Sequence, residues 1–144
     1  MKVFICSYNN YYLAVPMDLV SSIMLYKKNT DKINFTEEND NIYISLPLLF
    51  NCPSLNIHHG IILKNDNIEN SNKIILLTTE IENETEIQND IIFPIQKSLE
   101  NIIVNINILN NIRFSDIFNG LFFKAGHLVL LLNPLPIINY SKRS

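Results

Sequence analysis

The histidines of this chain are the side chains that could most readily bind a metal ion. His58 and His59 are adjacent, and His127 is distant from them in sequence. Neighbouring residues of an extended segment point to opposite faces, so one strand cannot direct both His58 and His59 at a single ion. A structural zinc site also needs further ligands at characteristic spacings, which are missing here. We therefore expect these histidines to be polar residues entering a strand, and no metal site.

An alternating acidic run could carry hydrolytic chemistry. Its members are Glu80, Glu82, Glu84 and Glu86, which would share one face of a strand. Neighbouring like charges repel, and the run lacks the apolar surrounding that keeps one acid of a catalytic pair protonated. The pattern therefore favours a solvent-exposed acidic face.

Motifs of nucleotide-binding and nucleophilic enzymes are missing from the sequence. Its three glycines, Gly60, Gly120 and Gly126, stand apart, whereas a phosphate-binding loop groups its glycines within a few residues. No serine lies in the glycine-flanked elbow of a hydrolase. We predict a protein with no catalytic activity and no cofactor; an enzyme built on the acidic run is the alternative.

The charge argues against nucleic acid as a partner. The formal net charge is −3, and the arginines are Arg113 and Arg143 alone. Proteins that bind nucleic acid expose a basic surface to the phosphates. We therefore expect the aromatic residues to pack in the core rather than stack on bases; they include Tyr8, Tyr11, Tyr12, Tyr43, Phe118, Phe122 and Phe123.

The hydrophobic content and the cysteines indicate a folded cytoplasmic domain. Hydrophobic residues make up 47% of the 144 residues, enough for the core of one domain. The apolar run at 128–132 is far shorter than the roughly 20 residues that cross a bilayer, and no signal peptide is expected. Cys6 and Cys52 could form one disulfide, but reduced, buried thiols are typical of cytosolic proteins.

Short β-favourable runs separated by polar turns predict most of the secondary structure. Asn9-Asn10 lies between two such runs and predicts a hairpin, because asparagine tolerates the positive φ of tight turns. Residues 60–64 and 73–78 predict a second hairpin with a longer loop. Other strands are predicted at 23–26, near Phe35, at 42–44, within 80–90, and at 117–123 and 128–132, with helical turns at 17–20 and 46–50.

The segment 96–112 allows two interpretations. The spacing of its apolar residues suits a helix, whereas the alternation of residues 104–108 favours a strand. Evenly spaced short strands joined by turns predict a mainly β chain that forms a closed or nearly closed barrel. No repeat or linker divides residues 1–144, so we expect a single domain.

Three ordered segments resemble the CheW-like domain, the coupling module of bacterial chemotaxis arrays. The first, Leu13 to Ile23, is similar to the family's entry pattern, with a proline before a turn and spaced Val20 and Ile23. The second, Ile42 to Phe50, is similar to its strand running into a leucine-rich turn. The third, Gly120 to Ile138, resembles its final strand and apolar tail.

The resemblance implies a fold of two interlocked five-stranded, SH3-like β-barrels with short helical segments. It also implies a cytoplasmic adaptor that binds the regulatory domain of a CheA-type histidine kinase and the cytoplasmic tip of a chemoreceptor. Neither role requires a cofactor, nucleic acid or insertion into a membrane. The alternative is a β-barrel interaction module of another complex, without receptor coupling.

The positions that the resemblance implies for partner binding are Val20, Ile23 and Gly120. Each could equally be an ordinary core or turn residue. The chain departs from the family where the receptor-facing surface is expected: segment 27–41 lacks the Leu-Arg-Gly stretch, and Ser22, Ser45 and Phe122 replace commoner residues. A member that joins only kinase-type partners is therefore also consistent with the sequence.

Overall fold

The structure is a computed structural model that describes residues 1–8, 11–26, 35–38, 41–49, 56–64, 73–95, 103–104 and 112–136. Twelve strands dominate this part of the chain. The strands are β1 Lys2–Tyr8, β2 Tyr11–Pro16, β3 Val20–Leu25, β4 Phe35–Glu38, β5 Asn41–Ser45, β6 His59–Leu63, β7 Ile74–Thr78, β8 Ile81–Glu86, β9 Ile103–Val104, β10 Ile112–Arg113, β11 Phe118–Lys124 and β12 His127–Leu132. The helical elements are short: α1 Leu46–Leu49, α2 Phe114–Ile117, and 3-10 turns at Met17–Leu19 and Asn89–Ile91.

Sheet A combines the two ends of the described chain. Its five strands follow the order β11-β12-β2-β1-β8. Strands β1 and β2 form the predicted hairpin, with Tyr8 opposite Tyr11, while the predicted turn residues 9–10 lie outside the described residues. Strand β12 runs parallel to β2, with Leu130 opposite Leu13. This parallel pair joins segments more than a hundred residues apart.

Sheet B is formed by the middle of the chain. Its order is β3-β6-β7-β5-β4, and the predicted hairpin of β6 and β7 lies at its centre. Strand β5 runs parallel to β7, which is buried along its whole length. The predicted edge strand near Phe35 is β4, which pairs with β5. A small two-stranded sheet of β9 and β10 completes the described pairing.

Both sheets contribute to one shared core. Alternation along β1 sends Phe4, Cys6 and Tyr8 into it. Its other buried members are Leu13, Val15, Val20, Ile42, Ile44, Leu46, Ile61, Leu63, Ile74, Leu76, Ile117, Phe118 and Leu132. The opposite face of sheet A buries a second cluster of Val3, Ile5, Ala14, Ile87, Phe122, Val129 and Leu131. Strand β1 is buried on both faces, which explains why its sequence is a continuous run of apolar residues.

The segment after β8 passes from one edge of sheet A to the other. Ile87 exchanges hydrogen bonds with Met1 beside β1, with N···O distances of 2.7 and 3.0 Å. Phe93 then forms a bridge to Leu121 on β11. Lys124 Nζ also donates to Thr85 Oγ1 at 3.0 Å, so that side chains from β11 and β8 meet. The two edges of sheet A are therefore connected through residues 85–93.

The prediction of a mainly β chain with little helix is confirmed, and the two five-stranded units are present as sheets. Among the described strands, no backbone ladder joins β8 to β11 or β3 to β4, so barrel closure stays a prediction. The described parts of segment 96–112 lie in β9 and β10, and the rest of that segment lies outside the described residues.

Candidate docking surface

The β11–β12 hairpin ends in a tight turn that fixes its tip. Lys124 pairs with His127 and encloses Ala125 and Gly126. Both enclosed residues have positive φ, 51° at Ala125 and 79° at Gly126. Two consecutive positive φ values give the two-residue turn whose twist matches that of the flanking strands. This turn joins the two strands that the sequence predicted at 117–123 and 128–132, and it holds the side chains beside it in a defined register.

Two adjacent phenylalanines of β11 face opposite sides. Phe122 is buried in the second cluster, whereas Phe123 is 59% exposed. Successive residues of a strand must alternate in this way. Phe123 lies opposite the exposed Leu128 of β12. The expectation that Phe123 packs in the core is therefore wrong, while it is confirmed for Tyr8, Phe118 and Phe122.

Phe93 extends this exposed apolar surface beyond β11. Its N–H donates to Leu121 O at 2.8 Å, and Leu121 N donates to Phe93 O at 3.0 Å. Phe93 is 55% exposed, and its ring lies edge-on to that of Phe123, with centroids 6.4 Å apart. Exposed Ile91 lies two residues earlier. We call Ile91, Phe93, Phe123 and Leu128 the aromatic face.

Gly120 allows Phe93 to approach β11 this closely. A Cβ at this position would lie 2.8 Å from Phe93 O and 2.9 Å from Ile92 Cγ2. Backbone oxygen cannot retreat as the end of a flexible side chain can, so a larger residue would displace the bridge. Gly120 thereby positions the aromatic face while being buried itself.

Exposed acidic residues occur on β8 and in the segment that follows it. The exposed Glu84 and Glu86 flank Thr85, the residue that receives the hydrogen bond of Lys124. Asp90 is also exposed and precedes Ile91. Glu80 and Glu82 are exposed as well, which confirms the predicted solvent-facing acidic run.

The histidines are dispersed. His58 is exposed, His59 Nδ1 accepts a hydrogen bond from Ile81 N at 3.4 Å, and the ring of His127 packs beside that of Tyr12. Within the described residues, no group of three histidine, cysteine or acidic side chains is arranged to hold a metal ion. His59 begins β6, as expected for a polar residue entering a strand.

Cys6 is free and buried. Burial raises the pKa of its thiol to about 11, with a further increase from the charge of Glu82 and an opposing effect from a hydrogen bond with Thr78. A thiol held in its neutral form is a poor nucleophile. Cys52 lies outside the described residues.

The three residues implied for partner binding lie in different settings. Val20 is 9% exposed and begins β3 within the shared core. Ile23, further along β3, is half-buried and packs against the same core. Gly120 lies on β11 of sheet A, under Phe93. The exposed Leu25 ends β3, so this strand also presents an apolar side chain to solvent.

Sequence reasoning missed the aromatic face. Strand alternation around the buried Phe122 could have identified Phe123 as outward-facing. Phe93 carries no such signal, because it lies after a 3-10 turn in a segment without regular periodicity. In the described residues, no helix is long and apolar enough to cross a membrane.

Comparison with known proteins relates the chain to one fold. No family model matches the sequence, and no curated protein matches it. Among solved structures, the crystal structure of the scaffolding protein TtCheW from Thermoanaerobacter tengcongensis is similar, with a TM-score of 0.59. The match covers 92% of this chain and 83% of that chain at 10% sequence identity. The chain therefore has a CheW-like fold with a divergent sequence.

Proposed function

We propose that this protein is a non-catalytic cytoplasmic adaptor that couples chemoreceptors to a CheA-type histidine kinase. The observation that carries the proposal is the fold: a CheW-like architecture extends over 92% of the chain. The similar structure is that of a scaffolding protein. The order of the three resembling sequence segments supports the same role independently of the fold comparison.

An adaptor must contact two partners at once, which requires two separate docking regions. Exposed apolar side chains occur in both sheets: Leu25 on β3 of sheet B, and the aromatic face on sheet A. Apolar and aromatic side chains in the centre of an interface supply much of its binding energy. Under this proposal, β3 with Val20 and Ile23 forms one contact, and the surface over Gly120 forms the other.

Barrel closure is part of the same proposal. The bridge of Phe93 to Leu121 and the hydrogen bond of Lys124 to Thr85 support a sheet A that curls on itself. Closed barrels remove free strand edges and so restrict association to side-chain surfaces. We propose that each sheet forms one of two interlocked barrels around the shared core.

Binding measurements with purified partners test the function. The full chain is immobilised and exposed to the regulatory domain of a CheA-type kinase, and separately to a chemoreceptor tip fragment, both from the source organism. We expect the chain to bind both partners saturably. In Leu25→Ser or Ile23→Thr, the affinity for the kinase domain or for the receptor tip should fall by about tenfold or more. The matched control Asp18→Asn changes an exposed residue outside both regions.

If the chain binds neither the kinase domain nor the receptor tip, the coupling role is overturned. The fold would then serve another complex as an interaction module, which is the second candidate. Val20 is a poorer test position, because its side chain is buried and a polar replacement would also disturb the core. Urea unfolding of each variant separates lost binding from lost stability.

A further inference from the structure

A pocket lies where the two edges of sheet A approach each other, beside the tip of the β11–β12 hairpin. Its volume is about 110 Å³. We propose that it binds a free α-amino acid with a small apolar side chain, an inference that does not depend on the adaptor function. The buried Ile5 and Val129 form the floor of the pocket, and Tyr12, Glu82, Lys124 and His127 form its rim.

The floor and one wall of the pocket suit an apolar side chain. Ile5 and Val129 are 2% and 1% exposed and belong to the second cluster, which holds them in place. The rings of Tyr12 and His127 form the wall, with centroids 5.1 Å apart. Pockets for drug-sized ligands measure roughly 300–1,000 Å³, and an apolar cavity of about 150 Å³ holds benzene. A space of about 110 Å³ therefore fits a side chain of a few carbon atoms.

A β-bulge in β8 turns Glu82 towards the pocket. The register of β1 with β8 shifts so that three steps along β8, from Ile81 to Glu84, lie opposite two steps along β1. The extra residue of a bulge reverses the alternation of the side chains beyond it. Glu82 and Thr85 therefore face the same side of sheet A, although a regular strand would place them on opposite sides. The carboxylate of Glu82 thereby reaches the pocket that Lys124 also lines.

Lys124 supplies a positive charge from the other edge of sheet A. Its ammonium group donates to Thr85 Oγ1 at 3.0 Å. Because a hydroxyl is neutral, this bond positions the ammonium group without neutralising its charge. A lysine has three N–H donors, so this bond leaves two for a ligand. The tight turn of Ala125 and Gly126 fixes the hairpin from which Lys124 extends.

The two charges select a ligand that carries both signs. A ligand with a single charge would be attracted by one of the two groups and repelled by the other. The rise along a strand places Glu82 and Thr85 on the order of 10 Å apart. An α-amino acid spans roughly 9 Å when its two charged ends each form a hydrogen bond of about 2.8 Å. Its backbone therefore matches the distance from the Glu82 carboxylate to the ammonium group that Thr85 holds, with its side chain on the apolar floor.

Titration of the isotopically labelled full chain with L-valine, followed by two-dimensional NMR, tests the inference. We expect saturable shifts of the amide signals of Ile5, His127 and Val129. The Kd should be about 1 mM or lower for a ligand of this size. Absence of saturation up to about 30 mM valine, far above that Kd, would overturn the inference.

Three further ligands test which parts of the amino acid are recognised. N-acetylvaline lacks the ammonium group and valine amide lacks the carboxylate, and each should bind about tenfold more weakly than valine. The two derivatives also mimic the terminal residues of a peptide, so they distinguish a free amino acid from a chain terminus. Glycine lacks the apolar side chain and should bind about tenfold more weakly. Equal affinity for valine and both derivatives would contradict the recognition of a zwitterion.

Variants of the protein assign each charge to its residue. In Glu82→Gln, valine and N-acetylvaline should bind within about twofold of each other, and in Lys124→Met the same should hold for valine and valine amide. Lys124→Arg keeps the charge and should still prefer valine to its amide. The matched controls Glu84→Gln and Lys64→Met change exposed residues outside the pocket and should bind valine as the unmodified chain does. Circular dichroism checks that each variant is folded, and equal losses in Glu82→Gln and Glu84→Gln would overturn the assignment to this pocket.

Discussion

The hydroxyl oxygens of Tyr8 and Thr78 lie 2.8 Å apart in the interior and connect β1 of sheet A to β7 of sheet B. Tyr8 is 2% exposed and Thr78 is fully buried. Nearby, Thr79 Oγ1 donates to Ser7 O at 3.1 Å. Buried polar groups hold a unique arrangement because a shift that breaks their bonds leaves them unsatisfied. This contact fixes how one sheet is placed on the other.

Removing the hydroxyl of Tyr8 should lower the free energy of unfolding. In Tyr8→Phe the ring still fills the core, but Thr78 loses one partner. We expect a loss of about 1 kcal/mol, typical of a buried hydrogen bond. Urea denaturation at neutral pH measures it. The matched control Tyr43→Phe alters a half-buried ring of sheet B and should change stability by less; equal losses would contradict a special role for the contact between the sheets.

The thiol of Cys6 should make stability decrease at alkaline pH. Its pKa rises from 9.0 in the unfolded chain to about 11 in the folded protein, chiefly through burial. Between these values the unfolded chain has lost the proton and the folded protein has kept it, so the folded state binds more protons. The contribution of the Cys6 thiol to the free energy of unfolding is therefore complete below pH 9, and it is lost as the pH rises towards 11. A shift of this size corresponds to about 2–3 kcal/mol.

The measurement compares two variants, because other groups also titrate in this range. In a Cys52→Ser background, urea denaturation from about pH 8 to about pH 11 should give a steeper fall with Cys6 present than with Cys6→Ala. At the lowest pH of the series, the free energy of unfolding of the Cys6→Ala variant should be lower by about 1 kcal/mol, because the packing of the Cys6 side chain is lost. Parallel curves for the two chains would refute the prediction. Slow reaction of the native thiol with iodoacetamide is the corresponding kinetic expectation.

Gly120→Ala should release Phe93 from β11. The added methyl group meets Phe93 O at 2.8 Å, and we expect a destabilisation of about 1–3 kcal/mol from this overpacking. Amide hydrogen exchange of Phe93 and Leu121 should accelerate, since their mutual hydrogen bonds would break. The comparison is Gly126→Ala, which meets no atom within 4 Å and is strained by its φ of 79° alone. That variant should leave the Phe93 and Leu121 amides protected.

Local patterns were sufficient to predict the hairpins. Asn9-Asn10 between two apolar runs predicted β1 and β2, and the positions of β6, β7, β11 and β12 followed from the same type of signal. Each depends on residues close in sequence. The parallel pairs of β12 with β2 and of β5 with β7 have no such signal, because their registers are set by packing in the shared core.

The candidate surface was predictable only in part. Alternating charge correctly predicted the exposed acidic residues, since a row of glutamates cannot be buried without partners. The lack of a basic surface suggested that Phe123 packs in the core, but strand alternation places it outside, next to the buried Phe122. The contact of Phe93 with Phe123 depends on the path of the chain between two edges of sheet A and on the small size of Gly120. No local pattern encodes it.

Ala125→Asn should stabilise the hairpin that carries Phe123. Ala125 has a φ of 51°, where a Cβ is crowded by the following backbone, and asparagine tolerates this region better than alanine. The introduced asparagine would precede Gly126 and so give the pair favoured in two-residue hairpin turns. We expect a gain of about 0.5–1 kcal/mol and a rise in Tm of about 2–3 °C. Thermal unfolding followed by circular dichroism measures it, with Gly126→Ala as the control that should shift Tm downwards. A lower Tm for Ala125→Asn would show that the turn has another conformation, and the register that places Phe123 opposite Leu128 would need revision.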